Sequence, residues 1–311
     1  MRLRSSRPAT EPAADDALTR LLGDVSEESL RELVEALAVP RHYTWEAEAN
    51  RAVAQHVMRE LESCGLSVVR QGEHDNLVAT FGTDGLAEAR VLIGAHFDSV
   101  PGSPGADDNA SAVAGLLVAA RMLARFDRPP VAFIAFNREE DGLLGSMDFV
   151  ERCVPSACPR LELVHVLEMI GYCDHSPGSQ QAPAGLPVVI GDRADFLAVV
   201  ANRDSASVVR PLLDLVPQRV PELPVKVLQV HLGLEHHFPD ILRSDHAPFW
   251  VARVPALMWT DTADFRNPHY HEASDLPDTL DYTFLARVTR LLVAQVVEHL
   301  GLRVDDGDGE G

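Results

Sequence analysis

The chain reads as an α/β protein, a single domain with a mostly parallel central sheet flanked by helices. Three observations point there. Four short apolar runs bounded by polar residues suit strands covered on both faces. Segments with apolar residues at helical spacing alternate with them, and no internal repeat is present. A chain of 311 residues, 46% hydrophobic and 24% charged, can bury one full core.

The elements follow in order. Residues 1–20 open with Arg, Pro, Ala and Asp and no apolar run, which predicts a disordered tail. Ser26 opens a helix whose Leu30, Leu33, Val34 and Leu37 share one face, and a second helix covers residues 46–64, where Gly65 ends it. Residues 90–95, around Val91, Leu92 and Ile93, form the first buried strand. A helix then starts at Asp108 and carries Val113, Leu116, Leu117, Ala120 and Leu123. Further strands are predicted at residues 131–136, 163–167 and 255–259, and a last helix at 285–300 packs on the sheet. The domain thus spans 21–303. Residues 304–311, nearly all acidic or glycine, make a second disordered tail.

Each buried strand runs into polar chemistry. The first reaches His96 and Asp98, the second Glu139 and Glu140, the third Glu168, and the fourth leads to a loop holding His269 and His271. In an open parallel sheet the carboxyl ends of strands lie along one edge, where ligands bind. Two histidines (His96, His271) and three carboxylates (Asp108, Glu140, Glu168) can therefore converge, with Glu139 beside them. Imidazole and carboxylate without thiolate suit zinc or another divalent ion at a catalytic site. Five ligands are too many for one tetrahedral ion and suit two that share a carboxylate. Ions about 3.5–4 Å apart can together activate water and polarise a carbonyl. Adjacent residues near a strand end point in different directions, so Glu140 can ligate while Glu139 serves as general base.

At this point the motifs resemble a known family. His96-Phe97-Asp98-Ser99, Gly105-Ala106-Asp107-Asp108-Asn109-Ala110-Ser111, Arg138-Glu139-Glu140-Asp141-Gly142, Leu167-Glu168-Met169-Ile170-Gly171-Tyr172, Ser244-Asp245-His246 and Asn267-Pro268-His269-Tyr270-His271 look like the M28 zinc peptidases. These are aminopeptidases and relatives that carry two co-catalytic zinc ions, and the order is kept over residues 46–300. The resemblance implies a zinc-exopeptidase-like fold, a peptide substrate shortened from its amino end, and two Zn2+ ions. It makes His96 a ligand of one ion with Asp98 behind it, orienting the ring. Asp108 bridges the ions, chosen over Asp107 because Asn109 alone separates it from Ala110-Ser111. Glu168 completes the first ion, Glu140 and His271 bind the second, and Glu139 is the base. Two positions depart from the family pattern: Glu168 stands where aspartate is common, and Ala112 where glycine is.

Other readings are bounded by what is absent. No Gly-x-Ser-x-Gly elbow, phosphate-binding glycine loop or His-Glu-x-x-His helix occurs. A net charge of −20 argues against a nucleic-acid partner. No run of about 18 apolar residues suggests a membrane span, and the first residues do not form a signal peptide, which predicts a cytoplasmic location. Four cysteines are predicted to be free thiols, with Cys153 and Cys158 the one pair close enough in sequence to bridge. His231, His236 and His237 match no motif and are expected at the surface. Asp245 and His246 either line the substrate site or cap a helix. Specificity is expected from loops over residues 174–187 and 231–250. Two alternatives stand beside the peptidase: a glutaminyl cyclase on the same scaffold, typically with one zinc, and a non-catalytic binding protein that keeps the fold.

Overall fold

The computed structural model describes residues 1–8, 16–82, 85–231, 233 and 237–304. Within them nine strands form one sheet: β1 (Arg2–Ser5), β2 (Ser67–Gln71), β3 (Asn76–Thr80), β4 (Val91–His96), β5 (Val131–Phe136), β6 (Leu163–Glu168), β7 (Leu197–Ala201), β8 (Val225–Gln229) and β9 (Ala256–Thr260). Their order across the sheet is β1-β8-β7-β9-β6-β4-β5-β3-β2. The middle four, β9, β6, β4 and β5, run parallel, as their apolar runs predict. The flanks mix both senses: β3, β2 and β7 join antiparallel, β8 pairs parallel to β7, and β1 antiparallel to β8.

The central strands divide their side chains between two cores, because alternate residues of a strand face opposite sides. Val91, Ile93, Phe133, Leu163 and Leu167 face one layer, and Leu92, Ile134, Phe136, Val164 and Val166 the other. The first layer is built by α1 (Ala17–Gly23), α2 (Glu27–Leu37), α3 (Ala47–Ser63), α4 (Ala112–Leu123), α6 (Ala206–Arg219) and α8 (Tyr282–Leu300). The opposite core takes Phe149 from α5 (Leu144–Ala157) and Phe249 and Trp250 from α7 (His246–Val251). Gly94 is obligatory between them, since a Cβ there would fall 2.6 Å from the Phe136 ring.

Three expectations are corrected. Residues 2–5 are not a loose tail: β1 pairs over its full length with β8, and α1 buries Leu18, Leu21 and Leu22. An edge strand is recruited by backbone hydrogen bonds, which leave no hydrophobic pattern to read. The helix expected from Asp108 begins at Ala112, because Asp108 and Asn109 adopt non-helical dihedrals within an irregular turn over Ala106–Ser111. Asn109 accounts for that turn: its amide donates to Leu167 O and accepts from Met169 N, suturing the turn to the end of β6. The last helix starts at Tyr282, where Asp281 caps it by accepting from Phe284 N. Residues 9–15, 305–311 and His236 lie outside the described residues.

Candidate active site

The carboxyl ends of β4, β5 and β6 meet beside the loop that follows β9, and the six predicted side chains come together there. Asp108 lies between the two histidines. Its Oδ1 is 3.3 Å from His96 Nε2 and its Oδ2 is 3.2 Å from His271 Nε2. Glu168 Oε2 is 3.5 Å from His96 Nε2, and Glu140 Oε2 is 3.4 Å from His271 Nε2. Three overlapping groups result: His96-Asp108-Glu168 and Asp108-Glu140-His271, which share one carboxylate, and His96-Glu139-Glu140. Asp107 points elsewhere, accepting from Gly171 N and from the Asn267 side-chain amide.

These residues fit a pair of divalent cations. Both ring nitrogens of His96 and one oxygen of Glu140 are buried without a hydrogen-bond partner, although such groups are normally satisfied. Bonds of about 2.0–2.1 Å at a tetrahedral angle place ligand atoms about 3.3 Å apart, the spacing seen on both sides of Asp108. The donor set is nitrogen and oxygen only.

The surroundings hold this geometry in place. Asp98, fully buried, accepts from the backbone N–H of both Glu139 and Glu140 at 3.2 Å, which fixes two site residues, and its Oδ1 lies 3.5 Å from His96 Nδ1. Ser244 Oγ donates to Glu168 Oε2 at 2.7 Å, fixing the longer side chain that stands where the family often has aspartate. Asp275 accepts from the N–H groups of Asp107 and Asp108. Arg41 lies completely buried beneath the turn, donating to Phe97 O and Gly105 O. Gly105 has φ +58°, and a Cβ there would meet Asp108 O at 2.2 Å. Arg138, Met169 and His271 also hold positive φ, each at or beside a site residue, a strain that persists only where surroundings impose it. His271 stacks on Tyr270, whose hydroxyl accepts from Arg243 Nη2 at 2.9 Å.

Electrostatics follow from crowding acids in a dry place. Burial, then Asp108, pushes Glu140 up to about 7. Burial also lifts Glu139 well above the carboxylate range, with Glu168, Glu140 and Asp245 adding and His96 opposing. Burial disfavours charge on both histidines, yet the carboxylates outweigh it. They raise His96 well above its ordinary value and His271 to about 10. Asp108 is lowered, its two histidines overcoming burial. Ions that displace these protons would relieve the repulsion.

Of the remaining sequence candidates, Asp245 is fully buried against the charges of His96, Glu168 and Asp98, and its side chain does not cap α7. His246 bonds Ile241 O and packs edge-on to Trp250, a structural role. His269 contacts Ser274 and stays out of the cluster. His231 is half-buried and His237 exposed. All four cysteines are free. Sequence reasoning missed Ser244 as a support, Asp275 and Arg41. Only Ser244 and Asp275 stood within or beside quoted motifs, and nothing local announces their partners.

The cleft is lined by Asp108, Glu139, Glu140, Glu168, Tyr270 and His271. It adjoins an apolar cavity of about 120 Å³ through Glu168, Arg243 and Tyr270, which border both. Leu3, Phe196, Val200, Leu228, Met258 and Phe265 supply much of its wall. Gln180, Pro183 and Leu186 from one expected specificity loop, and Asp240, Ile241 and Arg243 from the other, also reach it. No helix among the described residues is long and apolar enough to cross a membrane.

Comparison with known proteins bears on the family and the fold. The sequence pattern of peptidase family M28 matches residues 76–208. Protein YfbL of Escherichia coli, described as uncharacterized, is 35% identical over 254 residues, 76% of each chain. Aminopeptidase YwaD of Bacillus subtilis is 43% identical over 82 residues, 26% of this chain and 18% of its own length. In structure the chain is similar to the Legionella pneumophila LapA aminopeptidase, with TM-score 0.71 and 21% identity, covering 94% of this chain and 77% of that one. It is also similar to a glutaminyl cyclase from Macrostomum lignano, with TM-score 0.67 and 17% identity over 96% and 97%. At those identities the two structures speak for the fold alone. The family match, the extended identity to YfbL and the convergent strand-end motifs agree, and the chain belongs to peptidase family M28.

Proposed function

We propose that this chain is an aminopeptidase that works with two zinc ions and releases residues from the amino end of peptides. The shared Asp108 carries the reading, because a carboxylate whose two oxygens face two separate ligand groups suits a bridge. His96 and Glu168 would hold one ion with Asp108, and Glu140 and His271 the other. When bound, the pair would supply Lewis acidity toward the scissile carbonyl and lower the pKa of water. Glu139 also lies with His96 and Glu140 in a metal-binding group; with the other five residues as ligands it is the carboxylate that remains, and its elevated proton affinity suits a base that takes a proton from the attacking water and returns it to the departing amine. Asp98 keeps Glu139 and Glu140 in register through their N–H groups.

The carboxylate-lined cleft favours a substrate with a cationic α-amine. The adjoining cavity suits a large apolar side chain on the residue removed. We place the enzyme in the cytoplasm on the sequence reading, and cell fractionation checks that.

The test is metal content per chain together with hydrolysis of a panel of aminoacyl anilides, free and N-acetylated, by wild type and Glu139→Gln. Near two zinc ions, no cleavage of the acetylated substrates and activity reduced about 10²–10⁴-fold in the variant are expected. One zinc with ring closure of an amino-terminal glutamine would replace this reading by the cyclase. Metal retained with neither hydrolysis nor ring closure in wild type would turn it into a binding protein, and equal activity in both proteins would remove Glu139 as the base.

A further inference from the structure

A second group of metal-binding side chains lies apart from the cleft residues. Cys173 and His175 stand on the loop after β6, and Asp281 caps α8; their ligand atoms lie within 4.8 Å of one another. Cys173 Sγ is 3.8 Å from His175 Nε2. Zinc bonds of about 2.3 Å to sulfur and 2.0–2.1 Å to nitrogen span about 3.6 Å at a tetrahedral angle, so a small adjustment closes the pair on an ion. Asp281 uses Oδ1 for the cap, accepting from Phe284 N, which leaves its Oδ2 outside that bond. The other ring nitrogen of His175, Nδ1, faces Asp195 Oδ2 at 3.9 Å. A carboxylate behind a histidine is the usual support of a metal-bound imidazole.

We propose that Cys173, His175 and Asp281 bind one thiophilic divalent cation, zinc foremost, at a site separate from the catalytic pair. Asp195 orients the imidazole, and the fourth position is open to water.

Two physical points favour this over a reactive thiol. Burial, with Asp281 and Asp195 adding and Arg266 opposing, pushes the Cys173 thiol up to about 12. A thiol so placed is a poor nucleophile, and an ion that binds it must displace its proton, so the site should fill more readily as pH rises. The positive end of α8 and Arg266 oppose a cation here; the thiolate, Asp281 and Asp195 together outweigh them. His175 is 75% exposed, which gives an ion a way in. The site would tie the loop after β6 to the start of α8, which already meet where Asp281 N donates to Gly171 O at 2.9 Å. That loop continues to Gln180 on the cavity wall.

The probe is cobalt(II) added to the full chain. A thiolate ligand produces a near-ultraviolet charge-transfer band that nitrogen and oxygen ligands do not, so the catalytic residues cannot generate it. The band should appear in wild type and in a Cys64→Ser, Cys153→Ser, Cys158→Ser variant, and zinc should abolish it by displacement. Cys173→Ser should remove it. His175→Ala, a change at an exposed position, should weaken cobalt binding at this band by more than about tenfold, the least that losing even a supporting partner costs. No band at saturating cobalt, a band that survives Cys173→Ser, or unchanged affinity in His175→Ala would each overturn the proposal. None of these readings depends on peptide hydrolysis, so they stand or fall apart from the aminopeptidase assignment.

Discussion

His96 and His165 lie on hydrogen-bonded parallel strands and are both almost wholly buried, at 1% and 0% exposed, yet their proton affinities move in opposite directions. His165 faces apolar neighbours. Burial, with His299 adding, lowers it to about 3, and its Nδ1 accepts from Trp259 Nε1 at 3.1 Å. His96 is held well above its ordinary value because Glu168, Glu139, Asp108 and Asp98 surround it. Burial by itself makes a histidine neutral. Only a shell of carboxylates makes a buried one a place where positive charge is stabilised, whether it arrives as a proton or as a metal ion.

The sharpest way to break this comparison is to delete each ring. His96→Ala should lose one equivalent of zinc and nearly all activity while the chain stays folded. His165→Ala should keep its metal and its turnover but unfold more easily, by about 3 kcal/mol for the cavity and the stranded Trp259 donor. Metal analysis, anilide hydrolysis and denaturant midpoints on the two proteins distinguish them. Metal loss in His165→Ala would sink the contrast.

The same pair shows what was legible in the sequence. Both histidines interrupt or end apolar strands, and only the residues that follow distinguish them: Phe97-Asp98 after one, Val166-Leu167 after the other. Parallel strands buried on both faces write themselves as apolar runs, so β4, β5, β6 and β9 could be read, together with the histidines and carboxylates that the structure gathers near their ends. Asp108 could be picked over Asp107 by motif, and the structure turns it toward the histidines. The edge strand β1 could not be read, since backbone pairing with β8 leaves no periodicity. Nor could the start of α4, which depends on Asn109 reaching β6 from 58 and 60 residues away. Arg41 and Asp275 are hidden for the same reason: their roles consist of hydrogen bonds to distant backbone, and a lone arginine or aspartate in sequence has no partner to reveal.

A milder change tests the support rather than the ligand. Asp98→Asn preserves shape but replaces one acceptor oxygen by an NH2 group, so only one of the Glu139 and Glu140 N–H groups keeps its acceptor. Zinc affinity should fall about 10–100-fold, measured by competition with a chelating dye. An affinity equal to wild type would mean that His96 needs no carboxylate behind it.

pH separates the two histidines again, through linkage. His165 is lowered in the folded state, so between about 6.5 and 3 the unfolded chain holds the extra proton. Its contribution to stability is complete above 6.5 and is lost as pH falls toward 3. In His165→Ala the slope of stability against pH over that window should flatten by about one proton. The cluster around Asp108 behaves differently. Glu140, raised to about 7, and His271, raised to about 10, must give up protons to become ligands. Zinc binding should therefore release protons and weaken as pH drops through 7, which calorimetry in buffers of unequal ionisation heat can count.

The smallest effect concerns the far wall of the apolar cavity. Leu3 projects into it from β1 beside Leu228 of β8, its register partner. Strand pairing there is carried by backbone groups, so a larger side chain can be placed without removing the strand. Leu3→Trp would fill space that a large first side chain needs and leave the cleft at Glu168 and Tyr270 unchanged. Discrimination in such pockets is worth roughly tenfold per methylene or more. The ratio of kcat/KM for phenylalanyl over alanyl anilide should thus fall about tenfold, with the alanyl value held. An unchanged ratio would mean that the removed side chain lies elsewhere and that β1 is only a cover for the edge of the sheet. A fall in both values together would point instead to a disturbance transmitted to the metal ligands.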